Sequence, residues 1–428
     1  MKSEKQNKTL IIVAMIVSYL PFLIFSNPPE ANIDSIILYL ASQTGYLAAI
    51  MLLWQFILGT RSIAGFILKD QAWALKLHKW FGVYGIALVL LHPILVAYSY
   101  SEDLLYLIQP DFSVDFEKYV SFGRFAFLLY LIVWFSSAIL RGAIKYRPWK
   151  TIHWLSYLVL PFVLVHTPQV GSFYAGSEII RTLWTGFIIL FTAILALRLR
   201  HTFTFGQYPY EITGKKETVP DVFMYKLSPR AKQIKPAPGQ YIYTRRSFFS
   251  EEHPFSVVST DKDGSITIAT KVFGKYTKKL SELSTGDSIY LDGPYGVFTQ
   301  ELSLQDSEKP VVFIAGGIGI TPFISHILQN DRDITLFNAN RTEQQAFLRN
   351  TLKKVLGDKY IEVLSDDPNS SAESGYVTTK LLKKYLGDSF ATLDYYICGP
   401  PIMMSMIKQD LIDSGIKHTS IHTEEFSF

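Results

Sequence analysis

Four histidines stand inside apolar stretches of the chain: His78 and His92 in one, His153 and His166 in another. Ionisable side chains at such positions are costly and usually functional, and imidazole is a common axial ligand of haem iron. Any one of the four, alone, reads equally well as an interfacial or hydrogen-bonded helix histidine. Two pairs on two helices favour ligation. At about 1.5 Å of rise per residue, the members of a pair lie roughly 20 Å apart along a helix. His78 matched with His153, and His92 with His166, would grip two irons stacked through a bilayer and form an electron path. A second chemistry is written near residue 316, where the apolar run Val311 to Ala315 leads into Gly316, Gly317, Gly319, Thr321 and Pro322 and then an apolar helix from Phe323 to Leu328. Strand, glycine loop and helix in that order build a pyrophosphate site, with backbone N–H groups and a helix N-terminus turned to the anion.

The elements that must hold the histidines are six apolar runs, near 9–26, 35–58, 78–99, 122–141, 151–168 and 180–198. Each is close to the roughly 20 residues needed to cross a hydrocarbon core. Lysines and arginines cluster before the first run, between the second and third, between the fourth and fifth, and after the sixth. Acidic residues, among them Asp34, Glu102, Asp111 and Glu178, fill the alternate connections. The positive-inside rule then puts both termini and everything after residue 200 in the cytoplasm, in a multi-pass protein of the cell membrane. With no small-residue cleavage site after it, the first run is expected to be a retained helix. At about 100° per residue, His78 and His92 face within roughly 40° of each other, whereas His153 and His166 fall roughly 140° apart. The fifth helix must deviate, and Pro161 offers a kink. Gly82 and Gly85 would either admit a flat macrocycle or pack helix against helix.

From His201 onward the sequence is that of a soluble α/β protein. Residues 207–304 alternate in short strands with turn signals at Lys262-Asp263-Gly264 and Thr285-Gly286-Asp287, as in a small antiparallel barrel. Beyond it, the strand Ile334 to Asn338 ends near Arg341, which is either a partner for a ribose 2′-phosphate, favouring NADPH, or an exposed surface arginine. A later strand runs into Cys398-Gly399-Pro400, at the carboxyl edge where such sheets bind ligands. Cys398 is the only cysteine, so no intramolecular disulfide and no thiolate cluster for zinc or iron–sulfur forms. A formal charge of +4 over 428 residues gives no reason to invoke nucleic acid.

Over nearly its full length the chain resembles the NADPH oxidase and ferric reductase superfamily, in a compact, bacterial form. The histidine spacings and the run from Thr44-Gly45-Tyr46 to Arg61 are similar to that family's membrane helices, which hold two b haems. His253-Pro254-Phe255-Ser256 resembles its flavin motif, in which the last residue sits by the isoalloxazine. Lys271, Gly274, Tyr276 and Thr277 look like the segment that holds the FAD diphosphate. The glycine loop and Cys398-Gly399-Pro400 resemble its nucleotide motifs, the latter near the nicotinamide. Glu424 with Phe426 or Phe428 resembles the terminal acid and the aromatic that covers the flavin.

The resemblance implies a six-helix transmembrane haem-binding bundle (1–200) fused to a ferredoxin reductase-like module. That module would comprise an antiparallel β-barrel FAD domain (201–306) and an α/β Rossmann-like NAD(P)H domain (307–428). It implies FAD, two haem b and NADPH, with electrons passed to O2 as superoxide. A ferric or cupric chelate, a quinone or a partner protein remain alternative acceptors. Arg124 and Arg181, near the outer ends of their helices, would attract a developing anion, meet a haem propionate or snorkel to the interface. Nothing in the sequence implies a regulatory subunit.

Overall fold

A computed structural model describes the chain except residues 1, 69, 204–205, 248–249, 300–301, 303–308, 330–331 and 425–428. Two compact units emerge, Lys2–Leu199 and Arg200–Phe428.

The first is helical: α1 Lys2–Ile24, α2 Ile33–Gly59, α3 Arg61–Ile67, α4 Gln71–Tyr84, α5 Ile86–Ser99, α6 Asp115–Trp134, α7 Tyr146–His153, α8 Ser156–Val170, α9 Ser172–Gly176 and α10 Glu178–Thr202. Side chains start the helices: Asn32 accepts from the Ser35 N–H at 2.8 Å and Asp70 from that of Trp73 at 3.0 Å, satisfying donors that a helix end leaves open. Inside, Phe22, Tyr46, Phe56, Leu160, Trp184 and Phe191 form one core. Leu10, Ile16, Ile94, Ile132 and Ile189 point outward, which is stable only against hydrocarbon. Among the described residues, five spans are long and apolar enough to cross a membrane: Lys5–Ile24, Ile33–Gly59, Gln71–Ser99, Asp115–Ile139 and Glu178–Thr202.

The run expected at 151–168 is not one straight helix. It is α7 and α8, broken at Trp154 and Leu155. The deviation required there exists but does not sit at Pro161, which α8 carries in its interior. Instead the chain tightens one turn earlier through three i to i+3 bonds: Leu155 N–H to Ile152 at 3.0 Å, Tyr157 to Trp154 at 3.0 Å and Leu158 to Leu155 at 2.9 Å. Three residues per turn mean 120° of rotation per residue instead of 100°. Over some five residues that recovers about 100° of the 140° shortfall and turns His153 and His166 toward one face. Proline acts at a distance: lacking an N–H and crowding the carbonyl four residues back, Pro161 favours a tighter turn just before it.

The second unit opens with a closed barrel of β1 Tyr208–Val219, β2 Val222–Pro229, β3 Tyr241–Arg245, β4 His253–Thr260, β5 Ile266–Lys271 and β6 Ser288–Tyr295, ordered β1-β2-β5-β4-β3-β6. Alternate residues such as Tyr210, Ile212, Tyr225, Leu227, Ile266 and Ile268 fill it. Gly264 and Gly286 turn with φ of +82° and +96°, as the turn signals required. A short helix, α11 Lys275–Ser281, follows β5.

Next comes a parallel sheet of β7 Val311–Gly316, β8 Ile334–Asn340, β9 Tyr360–Leu364, β10 Glu373–Ser374, β11 Asp394–Cys398 and β12 Ile421–Glu424, interleaved with α12 Thr321–Gln329, α13 Arg349–Leu356, α14 Thr379–Leu386 and α15 Pro401–Asp413. The order β10-β9-β8-β7-β11-β12 reverses direction between β7 and β11. The carboxyl ends of those two strands are therefore the ligand crevice of such a fold.

Candidate electron-transfer site

In the membrane unit α2 packs on α4 and α5, and α6 packs on α8. The glycine-bearing helices α2 and α6 thus lie against the histidine-bearing ones. The His78 ring lies opposite His153, with centroids 6.2 Å apart, and His92 opposite His166 at 6.4 Å. Two metal–imidazole bonds of about 2 Å, each plus about 1.1 Å from nitrogen to ring centre, require about 6.3 Å. Both pairs are therefore spaced as two imidazoles sharing one metal ion would be. Three rings are anchored alike by Nδ1, which meets the carbonyl oxygen of Ala41 (His92, 2.7 Å), Gln55 (His78, 3.0 Å) or Tyr119 (His166, 2.9 Å). That orientation would leave Nε2 available to a metal ion.

Each of those carbonyls lies four residues before a glycine. A Cβ on Gly45 would stand 2.8 Å from His92 Nδ1, one on Gly59 3.1 Å from His78 Cε1, and one on Gly123 2.8 Å from His166 Cε1. In a helix the carbonyl of residue i already accepts from the N–H of i+4. Glycine at i+4 uncovers its second lone pair for the imidazole. The cradling role of these three glycines was not foreseen, although Gly45 stands in the run that carries the resemblance and Gly45 and Gly59 repeat the spacing of His78 and His92. Of the two readings of Gly82 and Gly85, the helix-packing one matches what they face on α2: a Cβ on Gly82 meets the Gln55 side chain at 3.8 Å, and one on Gly85 would collide with Met51.

The fourth cradle differs. His153 Nδ1 meets Ser137 Oγ at 3.3 Å, and Trp149 Nε1 donates to the same oxygen at 3.1 Å. Ser137 lies in a π turn, Phe135–Ile139, which continues α6. Arg124, 5% exposed, donates to Tyr106 O, Ser121 Oγ and Glu117, so its charge is compensated and it is not a bare lure for anions. Arg181 donates to Ala175 O at 2.7 Å.

In the barrel, His253, Pro254, Phe255 and Ser256 open β4 beside β3. Ser256 is 3% exposed and its Oγ has no hydrogen-bond partner among the described residues. An orphan of that kind costs about 1–3 kcal/mol, and a flavin ring edge would supply what it lacks. The Tyr276 ring stacks on His253 with centroids 4.1 Å apart, and its hydroxyl donates to Thr244 O at 2.8 Å. Burial pushes that phenol up. Thr277 Oγ1 accepts from the N–H groups of Phe273 and Gly274 at 2.9 and 3.0 Å, so it shapes the loop after Lys271 and leaves the Phe273 ring 96% exposed. Sequence reasoning missed Arg246, close to Tyr276, whose buried Nε has no partner among the described residues. It also missed the hub of His201, Glu252 and Asp292. There Glu252 Oε1 lies 2.9 Å from His201 Nε2, accepts from Gln207 at 2.8 Å and pairs with Arg245. The arginine makes this an ion-pair network, although its ligand atoms are close enough for a metal.

At the sheet crevice the glycine loop and the Cys398 loop interlock. A Cβ on Gly319 would press on the Cys398 carbonyl carbon at 2.7 Å, and one on Gly399 on Gly316 Cα at 3.0 Å. Gly317 takes φ +55°, Thr321 Oγ1 donates to Ile318 O at 3.0 Å, and Pro322 is buried in the first turn of α12. Pro400 precedes α15. Cys398 is fully buried and pairs in register with Glu424; burial first, and Glu424 second, push its thiol well up. Arg341 is 74% exposed and holds Asp366 at 2.7 Å, so a 2′-phosphate there would meet a carboxylate. Phe426 and Phe428 lie outside the described residues.

Residues 44–164 match the ferric reductase like transmembrane component, 215–316 an FAD-binding domain and 313–409 the oxidoreductase NAD-binding domain. That domain composition is the one of the NADPH oxidase and ferric reductase superfamily. The ferric reductase match covers three of the four histidines, and His166 lies two residues past its end. The chain is accordingly a transmembrane electron-transfer oxidoreductase with flavin- and NAD(P)-binding domains. Among curated relatives, one component of the Na(+)-translocating NADH-quinone reductase of Methylococcus capsulatus is 30% identical over 185 residues, 38% of this chain and 44% of that protein. The chain thus spans less than half the length of the curated relatives it matches first. Among solved structures, the flavohemoglobin of Malassezia yamatoensis aligns with a TM-score of 0.47 at 20% identity, over 76% of this chain and 91% of that one. A ferredoxin NADP+ reductase from Neisseria gonorrhoeae aligns with a TM-score of 0.45 at 21% identity, over 51% and 98%.

Proposed function

We propose that the chain is a transmembrane NADPH oxidase, moving electrons from cytoplasmic NADPH through FAD and two b haems to O2 on the far side, giving superoxide. The observation that carries this reading is the pair of facing imidazoles at each of two levels, at separations that suit one iron apiece. FAD, when bound, takes a hydride and releases electrons singly, as haem iron requires. His78 and His153 hold the inner iron and His92 and His166 the outer one, with both termini and the flavin module cytoplasmic. Gly316, Gly317, Gly319, Thr321 and Pro322 cradle the nucleotide pyrophosphate. Ser256 sits at the isoalloxazine, beside His253, Pro254 and Phe255. Lys271, Gly274, Tyr276 and Thr277 shape the FAD diphosphate segment, and Cys398, Gly399, Pro400 and Glu424 border the nicotinamide. With His78, His153, His92 and His166 holding the haems, their imidazoles would leave no iron site open to oxygen, and the outer haem would supply single electrons to it.

The test is an oxidised-minus-reduced spectrum with haem quantitation on purified protein, followed by NADPH consumption in air. Two haems per chain and a superoxide dismutase-inhibited cytochrome c signal, without any added cytosolic factor, are expected. Absence of haem ends the reading. A quinone is the second acceptor to try, because one curated relative is named as part of an NADH-quinone reductase. Quinone- or ferric chelate-dependent NADPH consumption under argon, with no superoxide in air, would move the assignment there.

A further inference from the structure

The four histidine cradles follow one plan displaced by fourteen residues, and one of them breaks it. Ala41 with Gly45 repeats as Gln55 with Gly59 on α2. Tyr119 with Gly123 should repeat on α6 as Val133 with glycine at 137, but residue 137 is serine. The helix is also altered there. In the π turn the Leu140 N–H reaches Phe135 O, five residues back, at 3.0 Å, and such turns mark functional positions in helices. Val133 O is taken by Ser136 Oγ at 2.9 Å. The His153 imidazole is left with a hydroxyl oxygen at 3.3 Å, against carbonyls at 2.7, 3.0 and 2.9 Å for the other three. That oxygen already receives the Trp149 N–H, and the Trp149 ring stacks on His153 with centroids 5.0 Å apart.

We propose that Ser137 sets the two irons apart in potential, holding the one between His78 and His153 as the more easily reduced. This rests on the two-haem reading above. A histidine whose Nδ1–H meets a strong acceptor is the more basic ligand, and a more basic ligand favours ferric iron. A hydroxyl that is longer and already engaged by an indole is the weakest of the four acceptors. His153 therefore donates least, and its iron is shifted toward the ferrous form. The lever is hydrogen bonding to an axial ligand. Ser137 acts through His153 and is a positioning residue. The functional consequence is order: the His78/His153 level fills before the His92/His166 level.

The experiment is a spectroelectrochemical titration of purified full-length protein, with haem quantitation, on wild type, Ser137→Ala and Trp149→Phe. His92→Ala, which keeps only the pair under test, assigns the midpoints. In the wild type the His78/His153 haem has the higher midpoint. Ser137→Ala removes the acceptor and raises that midpoint. Trp149→Phe frees the hydroxyl to accept more strongly and lowers it, each by about tenfold in the one-electron equilibrium, ~59 mV. The other haem stays put. Midpoints that do not move, move together, or stand in the reverse order in wild type overturn the proposal while leaving two haems in place. Fewer than two haems per wild-type chain removes the reading beneath it as well.

Discussion

The membrane unit and the nucleotide crevice both depend on glycine, and they use it in different ways. On α2 and α6, glycines stand in ordinary helix, where the missing Cβ uncovers a backbone carbonyl and admits an imidazole. At the crevice, glycines bring one backbone against another, Gly319 on Cys398 and Gly399 on Gly316, with Gly317 in left-handed conformation. A rigid helix thus gains proximity to a side chain, whereas two loops at strand ends gain proximity to each other. The first arrangement fixes the orientation of an imidazole and the second locks two loops together at the strand ends.

The harshest way to break this comparison is Gly45→Val. Its branched side chain would enter the His92 ring, which even a lone Cβ would approach to 2.8 Å, and neither helix can yield without unseating the imidazole. We expect haem content to fall from two per chain to about one, while NADPH-dependent reduction of a soluble dye by the flavin module is unchanged. Gly82→Val is the matched control, since only the Gln55 side chain lies within reach, at 3.8 Å. It should keep both haems. Retention of two haems in Gly45→Val would show that the cradle does not seat His92.

Next comes Gly319→Ala, aimed at the other use of glycine. The added methyl meets the Cys398 backbone, which β7 and β12 hold on both sides, so relief requires moving a central strand. Overpacking of this sort costs about 1–3 kcal/mol. The expected result is a loss of roughly tenfold or more in kcat/KM for NADPH with the dye, as for ~1.4 kcal/mol of lost transition-state stabilisation, alongside an intact haem spectrum. An unchanged kcat/KM would mean that the interlocked loops do not form the nucleotide site.

How much of this could be read in advance differs between the two regions. The strand, the glycine loop and Cys398-Gly399-Pro400 are contiguous motifs, so the crevice was legible before the fold. The histidine pairs were legible too, because each repeats along its own helix. The part that Gly45, Gly59 and Gly123 play against the imidazoles was not. Their meaning depends on which helices pack together, and that is decided by burial across the whole bundle. Gly82 and Gly85 were a natural choice for the same reason: they share a helix with the ligands, while the cradle is on the neighbour. The break at Trp154 and Leu155 was required by the facing of His153 and His166, but its place was not given by Pro161. A proline frees a carbonyl one turn back, and the chain is then free to choose where to tighten. Ser137 left no trace in advance, since a π turn has no distinct residue signature. Arg124 looked available for an anion because Glu117, seven residues earlier, is brought onto the same face and becomes its partner only when α6 forms.

The smallest expected effect concerns Cys398, the residue over which the crevice closes. Its thiol is fully buried, and burial, reinforced by Glu424, holds it well above the ordinary range. A free thiol ionises near 8.5, and only the thiolate reacts quickly with alkylating reagents. Because it is the sole cysteine, labelling of the native protein reports this site with no background. Labelling should stay slow as pH is raised from about 7 to 9.5, with no inflection near 8.5, and become fast only after denaturation. The sign for stability follows. Above about 8.5 the unfolded chain has released this proton and the folded one has not, so the folded state binds more protons and stability declines as pH rises. The slope from one such group is at most ~1.4 kcal/mol per pH unit, and Cys398→Ala should remove it from the denaturation midpoint. Rapid native labelling with an inflection at the ordinary thiol pKa would mean that water reaches Cys398. The two loops would then be open at the point where Gly319 and Gly399 bring their backbones together.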